Sequence, residues 1–420
     1  MQNAIESDHG SFWHRRFLTV YDKPEIATQD DRAKQNAKYR QLYVLRSTLL
    51  RSEIRYSDGK DAREEKSLQV LLGMLVQSFS KARGDVSAGS KNLQLVKNFV
   101  KNHNIHIPFM PGRSHRRTKQ GAAVPGETFM SSKLLLIVQC LLAADVLCLQ
   151  SGQVTFAFTD SQKAVYASRG RRPLFASYGG VGIDLELLVH HLTFWKYWLA
   201  NDPQQALNGG FRQLIEAERP RYWESKLNNG ESTFGASWKG TYAFLSDHAR
   251  HVLPLNHRPG FHIQDEFPGE DNGMPFQDLN LRIVDEEAHF WPDIFDLHFK
   301  NNEAYRPVVK TRAQHRLIQD EADNTNSIRF KGDGDDQMDN FLASGWLKSL
   351  PSQMGVPGWK HMTMMKYYVE PDTGVINDGN LWAYSGIVLP GSKIIIGRWW
   401  RADGSEDEDS GPFILWCVDP

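Results

Sequence analysis

The chain has 420 residues, and its 49 lysines and arginines nearly balance its 50 aspartates and glutamates. A domain usually takes roughly 100–200 residues, so we expect two or three domains. The near-zero net charge excludes a general field that would attract nucleic acid or an anionic membrane, and we predict neither as a partner. Three scattered cysteines exclude a disulfide framework, which favours the cytoplasm or the nucleus: Cys140, Cys148 and Cys417.

The first part of the chain, residues 1–107, is predicted to be helical. Residues 67–79 and 92–100 carry apolar side chains three and four positions apart, the spacing of helices that pack on one another. Residues 1–17 lack the apolar run of a secretory signal. Residues 134–149 form an apolar run shorter than the ~20 residues that cross a bilayer, so we predict a buried helix there.

Residues 108–127 gather prolines, glycines and basic side chains without periodicity, and we predict a linker. Its basic cluster could bind an anion or direct nuclear import, but a solvated loop is the favoured interpretation. The cluster consists of Arg113, His115, Arg116, Arg117 and Lys119.

Residues 128–227 are predicted to mix helices with a hairpin. The β-branched and aromatic runs at residues 154–159 and 165–167 indicate two short strands, and residues 182–200 return to helical spacing. Within that helix His190 and His191 point about 100° apart, so they cannot share one metal ion from one face.

Residues 228–420 are predicted to form an antiparallel sheet, sandwich or barrel. This segment consists of short apolar and aromatic runs separated by Gly, Pro, Asp and Asn, and nine of the twelve tryptophans lie from Trp223 onward. The runs are SWKGTYAF, HFWPDIFDLHF, MTMMKYYV, LWAYSGIVL, KIIIGRWW and GPFILWCV. Together with the preceding helices they predict an α+β protein.

The last hairpin raises the question of a binding site, because both faces of its first strand are largely apolar. Ile394, Ile396, Arg398 and Trp400 alternate with residues of the opposite face. The second face needs either a covering element, which we favour, or an interior cavity. In a cavity, Arg398 would pair with a carboxylate or carbonyl and Trp400 would pack an apolar group. We predict that residues 403–409 form the solvated turn.

No catalytic or cofactor motif is recognisable, and we predict no cofactor and no metal. The acidic stretch Gly332–Asp336 lacks the ligand pattern of a calcium loop and favours a polar turn. A metal site is conceivable where helical spacing would bring two histidines near two carboxylates, although a surface strand and turn explains the same segment. Those residues are His289, Asp293, Asp296 and His298.

Two parts of the chain carry a resemblance to F-box proteins. The segments SFWHRRFLTVYDKP and AKYRQLYVLRS resemble the region that follows the F-box in fungal F-box-like proteins. The segments WKGTY, LPSQMGVPGWKHMTMMKYY, LWAYSGIVLPGSKIIIGRWW and SGPFILW are similar to the lipocalin-like substrate-binding barrel of a cyclin-directed animal F-box protein. The stretch ahead of Trp13 is shorter than an F-box, so we expect a longer gene product or the loss of the adaptor-binding helices.

The resemblance implies a protein that captures a client protein or degron in a C-terminal lipocalin-like barrel, for ubiquitin ligase targeting. Its pocket would contain Trp238, Tyr242, Arg398, Trp400 and Trp416. A Skp-type cullin adaptor would face Trp13, Arg16 and Phe17. Two alternatives stay open: a barrel enzyme such as an isomerase or cyclase, or a small-molecule binder, acting on an apolar substrate; and a purely structural interaction protein with a filled barrel.

Overall fold

The structure is a computed structural model that combines a helical N-terminal region with a closed C-terminal β-barrel, as the α+β prediction requires. It describes residues 11–24, 32–79, 89–103, 105, 132–148, 156–167, 174–175, 182–201, 206–228, 234–245, 252, 263–267, 275–285, 287–299, 327–336, 339–402 and 410–419. The predicted linker with its basic cluster and the acidic turn at residues 403–409 lie outside these ranges.

The described helices ahead of the barrel begin where the sequence supplies capping side chains. Asp61 and Ser90 accept hydrogen bonds from backbone N–H groups of the first turns that follow them, as Asp184 does further along the chain. The helices are α1 (Phe12–Val20), α2 (Arg32–Leu50), α3 (Ala62–Val76), α4 (Lys91–Asn102), α5 (Lys133–Leu141), α6 (Ala143–Cys148), α7 (Phe158–Ala167), α8 (Leu185–Lys196) and α9 (Ala206–Gln213). No helix within the described ranges has both the length and the apolar character needed to cross a bilayer.

The hairpin predicted at residues 154–159 and 165–167 is wrong. Residues 154 and 155 lie outside the described ranges, and residues 156 and 157 precede α7. Residues 158 and 159 and the whole second run belong to α7. Phe158, Ser161, Gln162 and Val165 are buried at the spacing of one helical face. Phe158 stacks on Tyr197, with ring centroids 3.7 Å apart. Tertiary burial therefore overrides the local preference of β-branched and aromatic residues for strands.

The barrel consists of eight strands in which each pairs antiparallel with the next and the first pairs with the last. This up-and-down connectivity is that of a lipocalin-like barrel, as predicted. The strands are β1 (Ser237–Tyr242), β2 (Gln277–Val284), β3 (Ile328–Asp335), β4 (Asn340–Ser349), β5 (Lys360–Val369), β6 (Ile376–Val388), β7 (Ile394–Arg401) and β8 (Ser410–Cys417).

The prediction of a polar turn at Gly332–Asp336 is also wrong. All of this stretch except Asp336 belongs to β3. The glycines alternate with exposed aspartates, and the glycines take the inward positions. A Cβ added at Gly334 would lie 2.3 Å from the Phe341 ring, so only glycine leaves room for that ring inside the barrel.

Both faces of β7 are buried. The outer face is covered by another element, as we predicted. Ile394 and Ile396 pack outward against the helical region. Ile395 and Trp399 face the barrel interior. On β8 the outward-facing Trp416 donates from its Nε1 to the Glu218 carbonyl at 2.7 Å, which ties the barrel to the segment after α9.

A further helix, α10 (Asp293–Phe299), covers another part of the outer barrel wall. We predicted this segment as one of the apolar runs of the sheet, although its spacing also fitted a helix. The strand prediction is wrong here, because residues 293–299 form a helix. Phe295 and Phe299 are fully buried against β5 and β7 residues, including Tyr367 and Trp400.

Candidate functional site

The barrel interior is occupied by side chains toward the end where β1 begins. Trp238, Leu279, Phe330 and Met362 are exposed by no more than 1% of their surface. We call these four residues the barrel floor. The floor is apolar, and the polar side chains of the interior lie at the opposite end of the barrel.

Interior glycines and aromatic rings fit together above the floor. A Cβ at Gly345 would lie 2.7 Å from the Phe330 ring, and one at Gly397 would lie 2.7 Å from the Phe413 ring. Pairing a large side chain with a glycine across the interior is how a small barrel fills its core. The interior at this level is therefore a packed core.

Polar and aromatic side chains replace this packing at the end where β1 finishes. Strand register brings them together. Lys366 on β5 pairs with Trp382 on β6. Asp335 pairs with Asp278, so the next residue, Asp336, lies opposite Gln277. We call this set the barrel mouth. It consists of Tyr242, Gln277, Asp336, Phe341, Lys366, Tyr368, Trp382, Tyr384 and Trp399.

A buried ion pair lies at the centre of the barrel mouth. Lys366 Nζ donates to Asp336 Oδ2, and the two side chains are only 3% and 11% exposed. Tyr368 Oη donates to the same carboxylate oxygen at 2.8 Å. Burial raises the pKa of Asp336, but attraction by Lys366 and these hydrogen bonds outweigh it and hold the pKa below its usual value.

Aromatic rings surround the Lys366 ammonium group. Its Nζ lies 4.1 Å from the Phe341 ring centroid, 5.7 Å from that of Tyr368 and 5.8 Å from that of Tyr242. These are cation–π distances. An ammonium group has three N–H donors, and within the described part of the chain Lys366 makes one hydrogen bond, to Asp336.

Gln277 brings an unused acceptor into the same group. Its side chain is 2% exposed, and its Oε1 atom has no hydrogen-bond partner among the described residues. Tyr384 lies nearby, and its pKa is raised well above its usual value by burial and by nearby Tyr242, Tyr368 and Asp336. A buried unsatisfied carbonyl costs about 1–3 kcal/mol, so this oxygen favours a ligand that supplies a donor.

Three half-buried rings, those of Tyr242, Tyr368 and Trp382, form the rim of the barrel mouth, and the polar groups lie just inside them. Burial raises the pKa values of Tyr242 and Tyr368, so both phenols stay protonated at neutral pH. Among the described residues, the mouth therefore offers hydrogen-bond donors, the open acceptor of Gln277 and aromatic surface. These groups can bind a ligand through hydrogen bonds and aromatic contacts.

The structure does not bring the five predicted pocket residues together. Trp238 lies in the floor and Tyr242 in the rim. Arg398, Trp400 and Trp416 all lie on the outer wall. Arg398 Nη2 donates to Ser410 Oγ at 2.7 Å, and Trp400 packs on Phe299 with centroids 5.6 Å apart.

The three predicted adaptor-facing residues also separate by environment. Phe17 is fully buried in the helical core, where it packs on Tyr39. Trp13 is half-buried and Arg16 is exposed. Only Trp13 and Arg16 of the three thus reach the surface of α1.

Two of the residues considered as metal ligands make other contacts. His289 Nε2 lies 3.0 Å from the Gly345 carbonyl, and Asp296 Oδ1 accepts from the Trp291 indole at 2.7 Å. Nowhere in the described ranges do three or more His, Cys, Asp or Glu residues assemble as metal ligands would.

A second buried carboxylate links the helices to the segment before β2. Asp265 accepts hydrogen bonds from Tyr166 Oη at 2.5 Å, Gln162 Nε2 at 2.7 Å and Trp198 Nε1 at 2.9 Å. Burial raises its pKa to about 7 against the opposing effect of these donors. With its oxygens so occupied, Asp265 serves as a cross-link.

Sequence reasoning missed the central residues of the barrel mouth. Lys366 continues the alternation of Met362 and Met364 in β5, so the period-two pattern places a lysine inside the barrel. That signal was readable. The sequence pattern does not predict that Lys366 pairs with Asp336, because β4 lies between β5 and the end of β3.

Comparison of the chain with family models, curated proteins and solved structures finds no match. The functional interpretation therefore depends on the geometry of the barrel mouth.

Proposed function

We propose that this protein is a recognition module that binds a short peptide segment of a client protein at the barrel mouth. The observation that carries the proposal is the open acceptor of Gln277 in the same buried group as the ammonium donors of Lys366. A peptide group presents an N–H donor and a C=O acceptor, and so complements both.

The aromatic rim supports a peptide as the ligand. Two rim rings, those of Tyr242 and Trp382, pack edge to face on the buried Trp399 ring, with centroids 5.1 Å and 5.4 Å away. Such rings are typical anchors for apolar side chains in protein interfaces. A residue with an apolar side chain can pack on them while its backbone reaches the polar groups.

The packed interior favours a short segment over a large apolar substrate. The rings of Phe330 and Phe413 occupy the space over the interior glycines, and the floor is apolar and buried. An enzyme acting on an apolar substrate would need that space. The alternative enzyme function is therefore less well supported than capture of a chain end or a loop tip.

The resemblance to F-box-like proteins extends this proposal to client capture for a ubiquitin ligase, in the cytoplasm or the nucleus. The order of helical region and barrel is consistent with it, and Trp13 and Arg16 are accessible on α1. Co-purification of a Skp-type adaptor and a cullin with the tagged chain would support this extension. Their absence would leave peptide capture standing without ligase assembly.

Peptide selection on a matched pair of variants tests the capture itself. A phage-displayed library of random twelve-residue peptides is selected on the wild-type chain and on Gln277→Met. The substitution removes the open acceptor and keeps the side-chain length. Gln139→Met is the control, since Gln139 is a buried glutamine in α5 whose Oε1 also has no partner among the described residues.

We expect selected peptides to bind wild type and Gln139→Met alike, and Gln277→Met at least tenfold more weakly, as for the loss of one hydrogen bond of about 1.4 kcal/mol. Both variants should keep the circular dichroism spectrum of the wild type. Failure to enrich any peptide, or equal binding by all three proteins, would overturn the proposal.

A further inference from the structure

The pair of helices α1 and α2 carries only one sign of charge. Together they contain seven arginines and lysines and no aspartate or glutamate, although the whole chain has a net charge of −1. One of these basic residues, Arg46, is buried and hydrogen-bonded to Gln77. Arg16 and Arg40 are exposed and give this helix pair a local positive charge.

Two exposed arginines are held in place on this helix pair by aromatic rings. Arg16 Nε donates to Tyr43 Oη at 3.2 Å, with its guanidinium carbon 5.7 Å from the Tyr43 ring centroid. Arg40 lies 5.8 Å from the Trp13 ring centroid. Trp13 and Tyr43 in turn contact each other, with centroids 5.7 Å apart. The arrangement alternates cation and ring across both helices.

Neither Arg16 nor Arg40 is paired with a carboxylate within the described part of the chain. Their guanidinium groups keep N–H pairs in the geometry that a carboxylate accepts bidentately. Val44, one turn after Arg40 on the same side of α2, is 49% exposed and adds an apolar contact. We call Trp13, Arg16, Arg40, Tyr43 and Val44 the basic aromatic face.

We propose that the basic aromatic face is a docking surface for an acidic protein segment, in which two carboxylates bind Arg16 and Arg40 and an apolar side chain packs on Val44. The charge complementarity defines the partner. Tryptophan, tyrosine and arginine are the residue types that dominate binding energy in protein interfaces. The inference uses only α1 and α2, so it stands independently of peptide capture at the barrel mouth.

A protein partner fits this surface better than a nucleic acid. Nucleic-acid binding draws on an extended field of positive charge that neutralises many phosphates, and the chain as a whole has none. The Trp13 and Tyr43 rings are also engaged with each other and with the arginines, so they are not free platforms for stacking bases.

Fluorescence anisotropy on the full chain tests this inference with labelled peptides of fixed length and graded glutamate content, each with one central leucine. A twenty-residue oligothymidylate and vesicles with about a third phosphatidylserine serve as the other polyanions. The test variant is Arg16→Glu with Arg40→Glu. The control is Arg282→Glu with Lys348→Glu, which changes the net charge equally at exposed positions of the barrel wall.

We expect affinity to rise with glutamate content, to fall with added salt, and to drop at least tenfold in the test variant but not in the control. Arg16→Lys with Arg40→Lys should retain part of the binding, since it keeps the charge and loses the bidentate fork. Gln277→Met should bind these peptides as the wild type does, which separates this surface from the barrel mouth. Equal binding by test and control variants, or tighter binding of the oligonucleotide or the vesicles than of every peptide, would overturn the inference.

Discussion

Lys366 of β5 and Asp336, just beyond β3, form an ion pair across the barrel mouth although β4 separates their strands. The pair lies inside the barrel, 3% and 11% exposed, with Tyr368 as an additional donor to Asp336. The pair connects the end of β3 to β5 through side chains, while β4 connects the same two strands through backbone pairing.

Breaking this ion pair should cost more than removing it whole. Lys366→Met leaves Asp336 buried without its counter-ion, and we expect the free energy of unfolding to fall by about 3 kcal/mol. Lys366→Met with Asp336→Leu removes both charges and should recover most of that loss. Urea denaturation of the two variants measures the difference.

The outer ion pair of Lys239 and Asp278, 2.6 Å apart, provides the control. Asp278 is 62% exposed, so Lys239→Met should change stability by less than about 1 kcal/mol. Equal losses at the two lysines would contradict a special role for burial at the barrel mouth.

Gly397 should tolerate no side chain. A Cβ there would lie 2.2 Å from the Ser385 carbonyl oxygen, which belongs to the neighbouring strand β6. Since backbone cannot yield as a flexible side chain does, Gly397→Ala should destabilise the protein by about 3 kcal/mol.

Gly379→Ala is the matched control within the same barrel. It is exposed on β6, and an added Cβ would meet only Asn377 Oδ1, at 3.5 Å. We expect no loss of stability, and a gain of about 0.5 kcal/mol from the stiffer unfolded chain is compatible with the site. Thermal unfolding of both variants decides the matter; a similar melting temperature for the two would contradict the proposed close packing.

Two histidines of α8 should make the protein less stable in acid. Burial lowers the pKa of His191 to about 3, assisted by nearby His190 and Arg398, and burial lowers the pKa of His190 to about 4. The unfolded chain titrates near 6.5, so between that pH and the folded values it binds more protons than the native state. The free energy of unfolding therefore falls as pH falls from about 6.5 toward 3, by up to about 1.4 kcal/mol per pH unit for each histidine.

His191→Leu should remove one histidine's share of this slope. Neither ring nitrogen of His191 has a hydrogen-bond partner in the described part of the chain, so the apolar replacement sacrifices no contact of that kind. Urea denaturation at several pH values between 4 and 6.5 measures the slope, with His298→Leu on α10 as the control. An unchanged slope in His191→Leu would contradict a buried neutral His191.

Trp416 should hold the barrel to the helical region. It is fully buried, contacts the Phe211 and Phe276 rings and donates to the Glu218 carbonyl. Trp416→Ala should cost about 3–5 kcal/mol. Trp416→Phe keeps ring contacts and loses the hydrogen bond, so it should cost about 1–2 kcal/mol.

The same two variants decide whether Trp416 is a ligand residue. Under native conditions Trp416→Phe should bind the selected peptides as the wild type does, because the indole lies outside the barrel. Loss of peptide binding with unchanged stability would instead support the sequence-based prediction that Trp416 contacts the ligand.

Residue patterns predicted the α+β class and the barrel because periodicity is a local property. The two apolar faces of residues 394–400 follow directly from strand alternation, and the favoured interpretation of a covered outer face is confirmed. The same local reasoning failed at residues 158–167. There the short apolar run fits either period, and packing against α8 selects the helix.

The amino-acid sequence by itself determined which segments could form helices and strands and which faces of them had to be buried, since side-chain spacing and polarity are set residue by residue. Only the tertiary structure decided that Asp336 meets Lys366, that Gln277 keeps an open acceptor beside them, and that Arg398, Trp400 and Trp416 face outward. Closure of β1 on β8 assigns the inside and the outside of the barrel. That closure depends on contacts between residues far apart in the chain, which no local pattern records.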